Sequence, residues 1–220
     1  MGSDLPKQFL KIGDKTVVEH SLQAFALMDE IDGIVLVVNG KYLDLMEDLL
    51  RHHPISKVMA LVEGGDTRQQ SAFLGVNHIS AQEGVVLIHD AVRPLVSANL
   101  ARACLEALCE VQAVTCAIPS SDTIIEVNEK GFISAVPPRK HLWRVQTPQV
   151  FDLPLIRQAH QRALEEEYVN ATDDCSLILR YELAPVWVVS GEERNLKLTH
   201  SADLALAEYL FQTQVAKQVD

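Results

Sequence analysis

Five short apolar runs recur along this chain with helix-length amphipathic stretches between them. That alternation limits the fold more than any other feature of the sequence. Residues 34–38 read IVLVV, with no polar side chain on either strand face. A strand that is apolar on both faces belongs inside a sheet covered on both sides. Similar runs stand at 58–62, 85–89 (VVLIH), 113–118 and 186–189. Helical patterns fall between them at 17–27, 42–50, 69–76, 98–108, 153–164, 174–179 and 202–211. Strand and helix in turn predict an α/β fold, a doubly wound, mostly parallel sheet with helices on both faces. The 220 residues, 48% of them hydrophobic, suffice for one substantial core, and residues 1–220 are expected to form a single domain.

One segment breaks the rhythm. Residues 120–145 read SSDTIIEVNEKGFISAVPPRKHLWRV, in which 123–127 and 132–136 flank the turn signal 128–131. This predicts a β-hairpin arm projecting from the βα array. Ile124, Ile125, Phe132 and Ile133 would leave apolar surface on it. Pairing with the same arm of a second subunit would cover that surface, so a homodimer through 120–145 is expected. The competing arrangement folds the arm back on its own domain.

Charge and composition exclude several classes. A net charge of −11 disfavours nucleic acid and anionic membrane as partners. No apolar run reaches the ~18 residues of a membrane span, and the N-terminus lacks the basic and apolar regions of a secretory signal. Cys104, Cys109, Cys116 and Cys175 form no CxxC pair, which suits reduced thiols in a cytoplasmic protein. An acidic chain that binds anions must do so with a local group of cations.

In parallel α/β sheets ligands bind beyond the carboxyl ends of strands, so the loops there carry the chemistry. After 58–62 comes Gly64-Gly65-Asp66-Thr67-Arg68-Gln69-Gln70-Ser71. Paired glycines let backbone approach a ligand, and the helix that follows offers free N–H groups. Gly64, Gly65, Asp66, Arg68 and Ser71 suit a nucleotide base and ribose; Asp66 or Thr67 is also a ready N-cap. After 85–89 comes Asp90-Ala91-Val92-Arg93. Asp90 is placed to hold Mg²⁺ or a hydroxyl, and Arg93 a phosphate; a local Asp90–Arg93 ion pair is the alternative. Lys7, Arg139, Lys140, Arg144 and Lys197 lie in further loops. His89 reads as a core imidazole, and Asp173 and Asp174 as helix caps. No Ser/His/Asp order suggests a hydrolytic triad.

Taken together, LPKQFL at 5–10, GGDTRQQS at 64–71, HDAVRP at 89–94, Asp122-Thr123, VPPRKHLWRVQTPQVF at 136–151, ATDDCSL at 171–177 and NLKLT at 195–199 resemble the cytidylyltransferases that act on 2-C-methyl-D-erythritol 4-phosphate, in the non-mevalonate route to isoprenoids. The match runs in order over nearly the whole chain. The ribitol-5-phosphate cytidylyltransferases share much of it and supply the alternative acceptor. The resemblance implies that Lys7 stabilises charge on the α-phosphate of CTP, and that Gly65, Asp66, Arg68 and Ser71 recognise cytosine and ribose. It places Asp90 and Arg93 between nucleotide and acceptor, and makes Thr123, Arg139 and Thr147 acceptor contacts from beside the arm, often across a dimer. Lys197 would orient the acceptor phosphate, and Mg²⁺ would accompany the triphosphate. The family opens with a strand and a loop of the form AAGxGxRM, which wraps the triphosphate and carries an arginine. Here the chain reads MGSDLPKQ where that loop should be ending, with Met1 in place of the Met of the RM pair. The first strand and Gly-rich loop are thus expected to be missing, and a truncated, non-catalytic dimeric protein is the third reading.

Overall fold

The computed structural model describes residues 5–219; Met1, expected to stand as the Met of the RM pair, lies outside them. The chain enters through a 3-10 turn, Lys7–Phe9, whose Phe9 is buried. A small hairpin follows, β1 (Lys11–Ile12) against β2 (Lys15–Thr16). Gly13 turns it at φ 63°, a left-handed value that only glycine adopts freely. Thr16 and Glu19 then form a reciprocal capping box that starts α1 (Val17–Ala26), satisfying two otherwise orphaned N–H groups. The wound part continues as β3 (Ile34–Val38), α2 (Leu43–His52), β4 (Val58–Glu63), α3 (Arg68–His78), β5 (Val85–Ile88), α4 (Ala98–Leu108) and β6 (Ala113–Pro119). Next come β7 (Glu126–Val127), β8 (Ile133–Ala135), β9 (Trp143–Asp152), α5 (Leu153–Glu165), α6 (Asp174–Arg180), β10 (Trp187–Ser190) and α7 (Ser201–Val219).

The expected elements are present, but the sheet is mixed and not mostly parallel. β3 and β4 pair in parallel as a sheet of two, and the larger sheet has the order β10-β6-β9-β5. β10 runs parallel to β6, while β9 runs antiparallel to both β5 and β6. The correction comes from β9, ten residues whose Gln146-Thr147-Pro148-Gln149 centre reads as loop. Chain reversal explains its direction. After β6 the backbone passes through the arm and a 3-10 turn at Arg139–His141, then returns alongside β6 with Trp143 opposite Pro119. Adjacent strands joined by such a reversal need no helical crossover and pair antiparallel. The β6–β9 register jumps between Thr115 and Cys116, opposite Gln149 and Gln146, so Thr147 and Pro148 stand as extra residues on β9. The Thr147–Pro148 bond is cis. An irregularity of this kind re-aims side chains, and here it sits beside Asp90.

Packing follows the expected faces. Phe151, Leu153, Ile156, Leu177 and Ile178 join β9, α5 and α6 in one fully buried cluster, each worth ~1.5–3 kcal/mol by removal from water. Phe9, Val18, Leu22, Leu36, Val38 and Met46 form a second cluster, against which Ala91 packs. This draws the Lys7 turn toward the carboxyl ends of β3 and β5.

The arm is a hairpin, shorter than the runs that suggested it. Asn128 organises its turn, accepting from Lys130 N and Phe132 N through Oδ1. Phe132 is 68% and Ile133 62% exposed, so within one chain the arm keeps its apolar surface outward. Cys104, Cys116 and Cys175 are buried thiols, and Cys109 is exposed. No helix among the described residues is long and apolar enough to cross a membrane.

Candidate active site

Strand β5 ends at Ile88, and the next two residues begin the site. Asp90 is the hub. Its Oδ2 lies 3.2 Å from Lys197 Nζ and 3.2 Å from Arg93 Nε, and its Oδ1 lies 3.8 Å from Arg68 Nε. Burial would raise its carboxyl, but Lys197, Arg68 and Arg93 outweigh that and hold it below the ordinary carboxylate range. The three cations arrive from the loop after β10, the start of α3 and the turn after β5. They converge because all three loops lie at one end of the fold, as the switch-point rule for open α/β sheets requires.

The β5 terminus is held by a lock that the sequence reading did not foresee. Asp90 N donates to Thr147 Oγ1 at 3.0 Å, and Thr147 Oγ1 lies 3.0 Å from His89 Nδ1. His89 Nε2 is 3.2 Å from the Arg93 carbonyl. A carbonyl can only accept, so Nε2 carries the proton and Nδ1 accepts from the Thr147 hydroxyl. Burial lowers the His89 pKa to about 4, which keeps the ring neutral. Thr147 is 4% exposed, and its hydroxyl is engaged within the protein. Arg93 is likewise buried. Its Nη1 donates to the Asn195 carbonyl at 2.7 Å and its Nη2 to that of Val145 at 3.5 Å. Its guanidinium therefore joins β5, β9 and the loop after β10 instead of standing free for a phosphate. Asn195, fully buried, donates from Nδ2 to the Thr147 carbonyl at 2.8 Å, and Gln146 Nε2 donates to the Glu192 carbonyl at 2.8 Å. These amides hold the Lys197 loop against β9.

The Gly64-Gly65 loop forms the neighbouring wall. A Cβ on Gly65 would stand 2.5 Å from Gln70 Cβ, and one on Gly64 would stand 2.8 Å from Ser71 Oγ. Glycine is needed there for close packing against the first turn of α3. Thr67, not Asp66, is the N-cap, in a capping box with Gln70. Asp66 is exposed. Ser71 Oγ donates to the Thr67 carbonyl at 3.0 Å. Arg68, the first residue of α3, turns toward Asp174. Its Nη2 lies 2.8 Å from Asp174 Oδ2, and Asp174 Oδ1 lies 3.2 Å from His160 Nε2. Of the two adjacent aspartates only Asp173 caps α6, accepting from Ser176 N at 2.9 Å. Asp174 is 1% exposed. Burial would raise its carboxyl, yet contact with His160 and Arg68 keeps it ionised below the usual range.

Lys7, Thr123 and Arg139, like Asp66, are not joined to this centre within one chain. Lys7 is exposed on its 3-10 turn. Thr123 is exposed at the base of the arm, and Arg139 donates from Nη1 to the Ser121 carbonyl at 3.1 Å. The residues that reading by strand ends missed are His160, Asp174, Gln146, Gln149 and Asn195. His160 carried one signal, a polar residue in the buried 153, 156, 159, 163 stripe of α5.

For a cation the described residues offer no group of three or more His, Cys, Asp or Glu side chains. Mg²⁺ bound with a nucleotide needs only one or two protein carboxylates, the phosphates providing other ligands. Asp90, ionised at the strand end, fits that lesser demand. The centre as a whole sets Arg68, Arg93 and Lys197 against Asp90 and Asp174. Three cations thus gather at one strand end of a chain whose net charge is −11. An anionic ligand in an acidic chain needs such a local group of cations.

Comparison with known proteins agrees with this geometry. Residues 1–213 match the family model described as 2-C-methyl-D-erythritol 4-phosphate cytidylyltransferase. A protein of that name from Thermobifida fusca is 42% identical over 224 residues, covering 99% of this chain and 90% of the relative. One from Desulforamulus reducens is 40% identical over 210 residues, covering 94% and 88%. Among solved structures, the 4-diphosphocytidyl-2C-methyl-D-erythritol synthase of Anaerococcus prevotii superposes with a TM-score of 0.85 at 32% identity, covering 96% of this chain and 92% of that one. The 2-C-methyl-D-erythritol 4-phosphate cytidylyltransferase of Thermus thermophilus gives 0.76 at 31% identity, covering 94% of each. With a family match over nearly its whole length, this chain belongs to the 2-C-methyl-D-erythritol 4-phosphate cytidylyltransferases.

Proposed function

We propose that this chain transfers the cytidylyl group of CTP to 2-C-methyl-D-erythritol 4-phosphate and releases pyrophosphate. The observation that carries this is the convergence of Lys197, Arg68 and Arg93 on Asp90 at the end of β5, beside the Gly64-Gly65 wall. A phosphate oxygen of the acceptor attacks the α-phosphorus of CTP in line. The new P–O bond forms as the bond from the α-phosphorus to the bridging oxygen breaks, and pyrophosphate leaves with that electron pair. No covalent enzyme intermediate is needed. Catalysis is positioning and charge stabilisation.

In this reading Gly64, Gly65, Asp66, Arg68 and Ser71 shape the base and ribose site. Lys7 stabilises the α-phosphate. Lys197, 42% exposed at its side chain and tethered to Asp90, exchanges that carboxylate for the acceptor phosphate. Arg93 and Thr147 position Asp90. Asp90 would hold Mg²⁺ together with the triphosphate, and the ion when bound neutralises phosphate charge. Thr123 and Arg139 are supplied from the arm of a second subunit, in a cytoplasmic homodimer that covers Phe132 and Ile133.

The test is pyrophosphate release from the purified chain with CTP and Mg²⁺, with either methylerythritol phosphate or ribitol 5-phosphate as acceptor. Turnover confined to methylerythritol phosphate is expected. Preference for ribitol 5-phosphate would move the acceptor assignment, and failure with both, alongside no CTP binding by calorimetry, would sink the enzymatic reading.

A further inference from the structure

We propose that Asp174 and His160 are positioning residues for nucleotide binding, a buried clamp that aims the Arg68 guanidinium at the Asp90 centre. This rests on the reading of Arg68 as a nucleotide-site residue. From the helical core outward the groups alternate: His160, Asp174, Arg68, Asp90 and then Lys197, at 3.2, 2.8, 3.8 and 3.2 Å. His160 is 2% and Asp174 1% exposed, whereas the Lys197 end is open. The chain of contacts thus connects the packed face of α5 to the site.

A structural tie between α6 and its neighbours is the competing explanation, and the contacts argue against it. The backbone at Asp174 is already fixed from β9, since Gln149 Oε1 accepts from Asp174 N at 3.0 Å and Cys175 N at 3.3 Å. The loop before α6 is already fixed to α3. There Gln69 Nε2 donates to the Tyr168 carbonyl at 2.5 Å and Gln69 Oε1 accepts from Ala171 N at 3.0 Å. The Asp174 carboxylate is needed for neither join. A buried ion pair is also a poor source of stability, because desolvation consumes most of its attraction. What it does supply is direction. Contact of Nη2 with Asp174 at 2.8 Å restricts the planar guanidinium and leaves Nε 3.8 Å from Asp90 Oδ1.

The experiment compares wild type, Arg68→Ala, Asp174→Asn, His160→Gln and the Arg68→Ala/Asp174→Asn double variant. It measures CTP affinity by calorimetry with Mg²⁺, and KM and kcat where turnover is present. Asp174→Asn keeps the shape and removes the charge. A rise of roughly tenfold in the Kd and KM for CTP is expected, with the acceptor KM unchanged and a smaller rise for His160→Gln. The double variant should bind no worse than Arg68→Ala, because the clamp acts only through Arg68. The proposal is overturned if Asp174→Asn binds CTP like wild type while Arg68→Ala does not, or if the two effects multiply. Should Asp174→Asn fail to fold, His160→Gln decides, and unchanged CTP affinity there overturns the clamp. Wild type that binds no CTP would refute the nucleotide-site reading itself, a result distinct from any of these.

Discussion

Replacing Thr147 by Val separates a positioning role from a ligand contact. Valine matches threonine in volume, so little cavity is created, and only the hydroxyl is lost. That hydroxyl accepts from Asp90 N and donates to His89 Nδ1, each at 3.0 Å. Each bond contributes about 1 kcal/mol net, and an orphaned buried N–H costs about 1–3 kcal/mol. With Thr147 only 4% exposed, water cannot readily replace the lost partner. Thr147→Val should therefore destabilise the fold by about 2–4 kcal/mol, seen in urea unfolding as a lower midpoint at unchanged slope. Because Asp90 would also lose its anchor, kcat/KM should fall further than stability alone explains. Thr147→Ser keeps the hydroxyl and should recover most of both. The reasoning is refuted if Thr147→Val unfolds within ~0.5 kcal/mol of wild type, the range of an ordinary surface change. A variant that is stable but has a raised acceptor KM would identify Thr147 as a ligand contact instead.

His89 makes stability depend on pH. Its pKa in the fold is about 4 against 6.5 ordinarily, so the unfolded chain binds the proton first. Stability from the neutral ring is complete above about pH 6.5 and is lost as pH falls toward 4, by up to ~3 kcal/mol. Unfolding free energies of wild type and His89→Gln across that window should show the slope in wild type alone. Phe132→Asp with Ile133→Asp should shift sedimentation from dimer to monomer while the far-ultraviolet spectrum is retained; an unchanged dimer would place the interface elsewhere. Lys7→Ala should lower kcat by on the order of 10²–10³, as for loss of one preorganised charge, with little change in acceptor KM, and a near-normal kcat would remove Lys7 from the mechanism.

The sequence by itself determined the α/β class and the order of the wound strands and helices from β3 to β6, because two-faced apolar runs and 3.6-residue stripes are local properties. It also marked Asp90 and the Gly64-Gly65 loop, since their importance follows from standing at strand ends. The arm was legible from the turn at 128–131 and the apolar residues on either side. Tertiary structure alone decided what lies between these markers. β9 was hidden because its centre, Gln146 to Gln149, is polar. Those polar groups are buried only by virtue of partners far along the chain, such as Gln149 with Asp174 N and Asn195 with the Thr147 carbonyl. The same reason hid the parts played by Asp174 and His160. A carboxylate next to a capping aspartate looks like a cap, and a histidine in an apolar stripe looks like filler. Only when α5, α6 and α3 come together does either acquire a charge to hold. No local rule reveals that the donors and acceptors of Arg93 and Thr147 are also engaged by residues about 50 to 100 positions away.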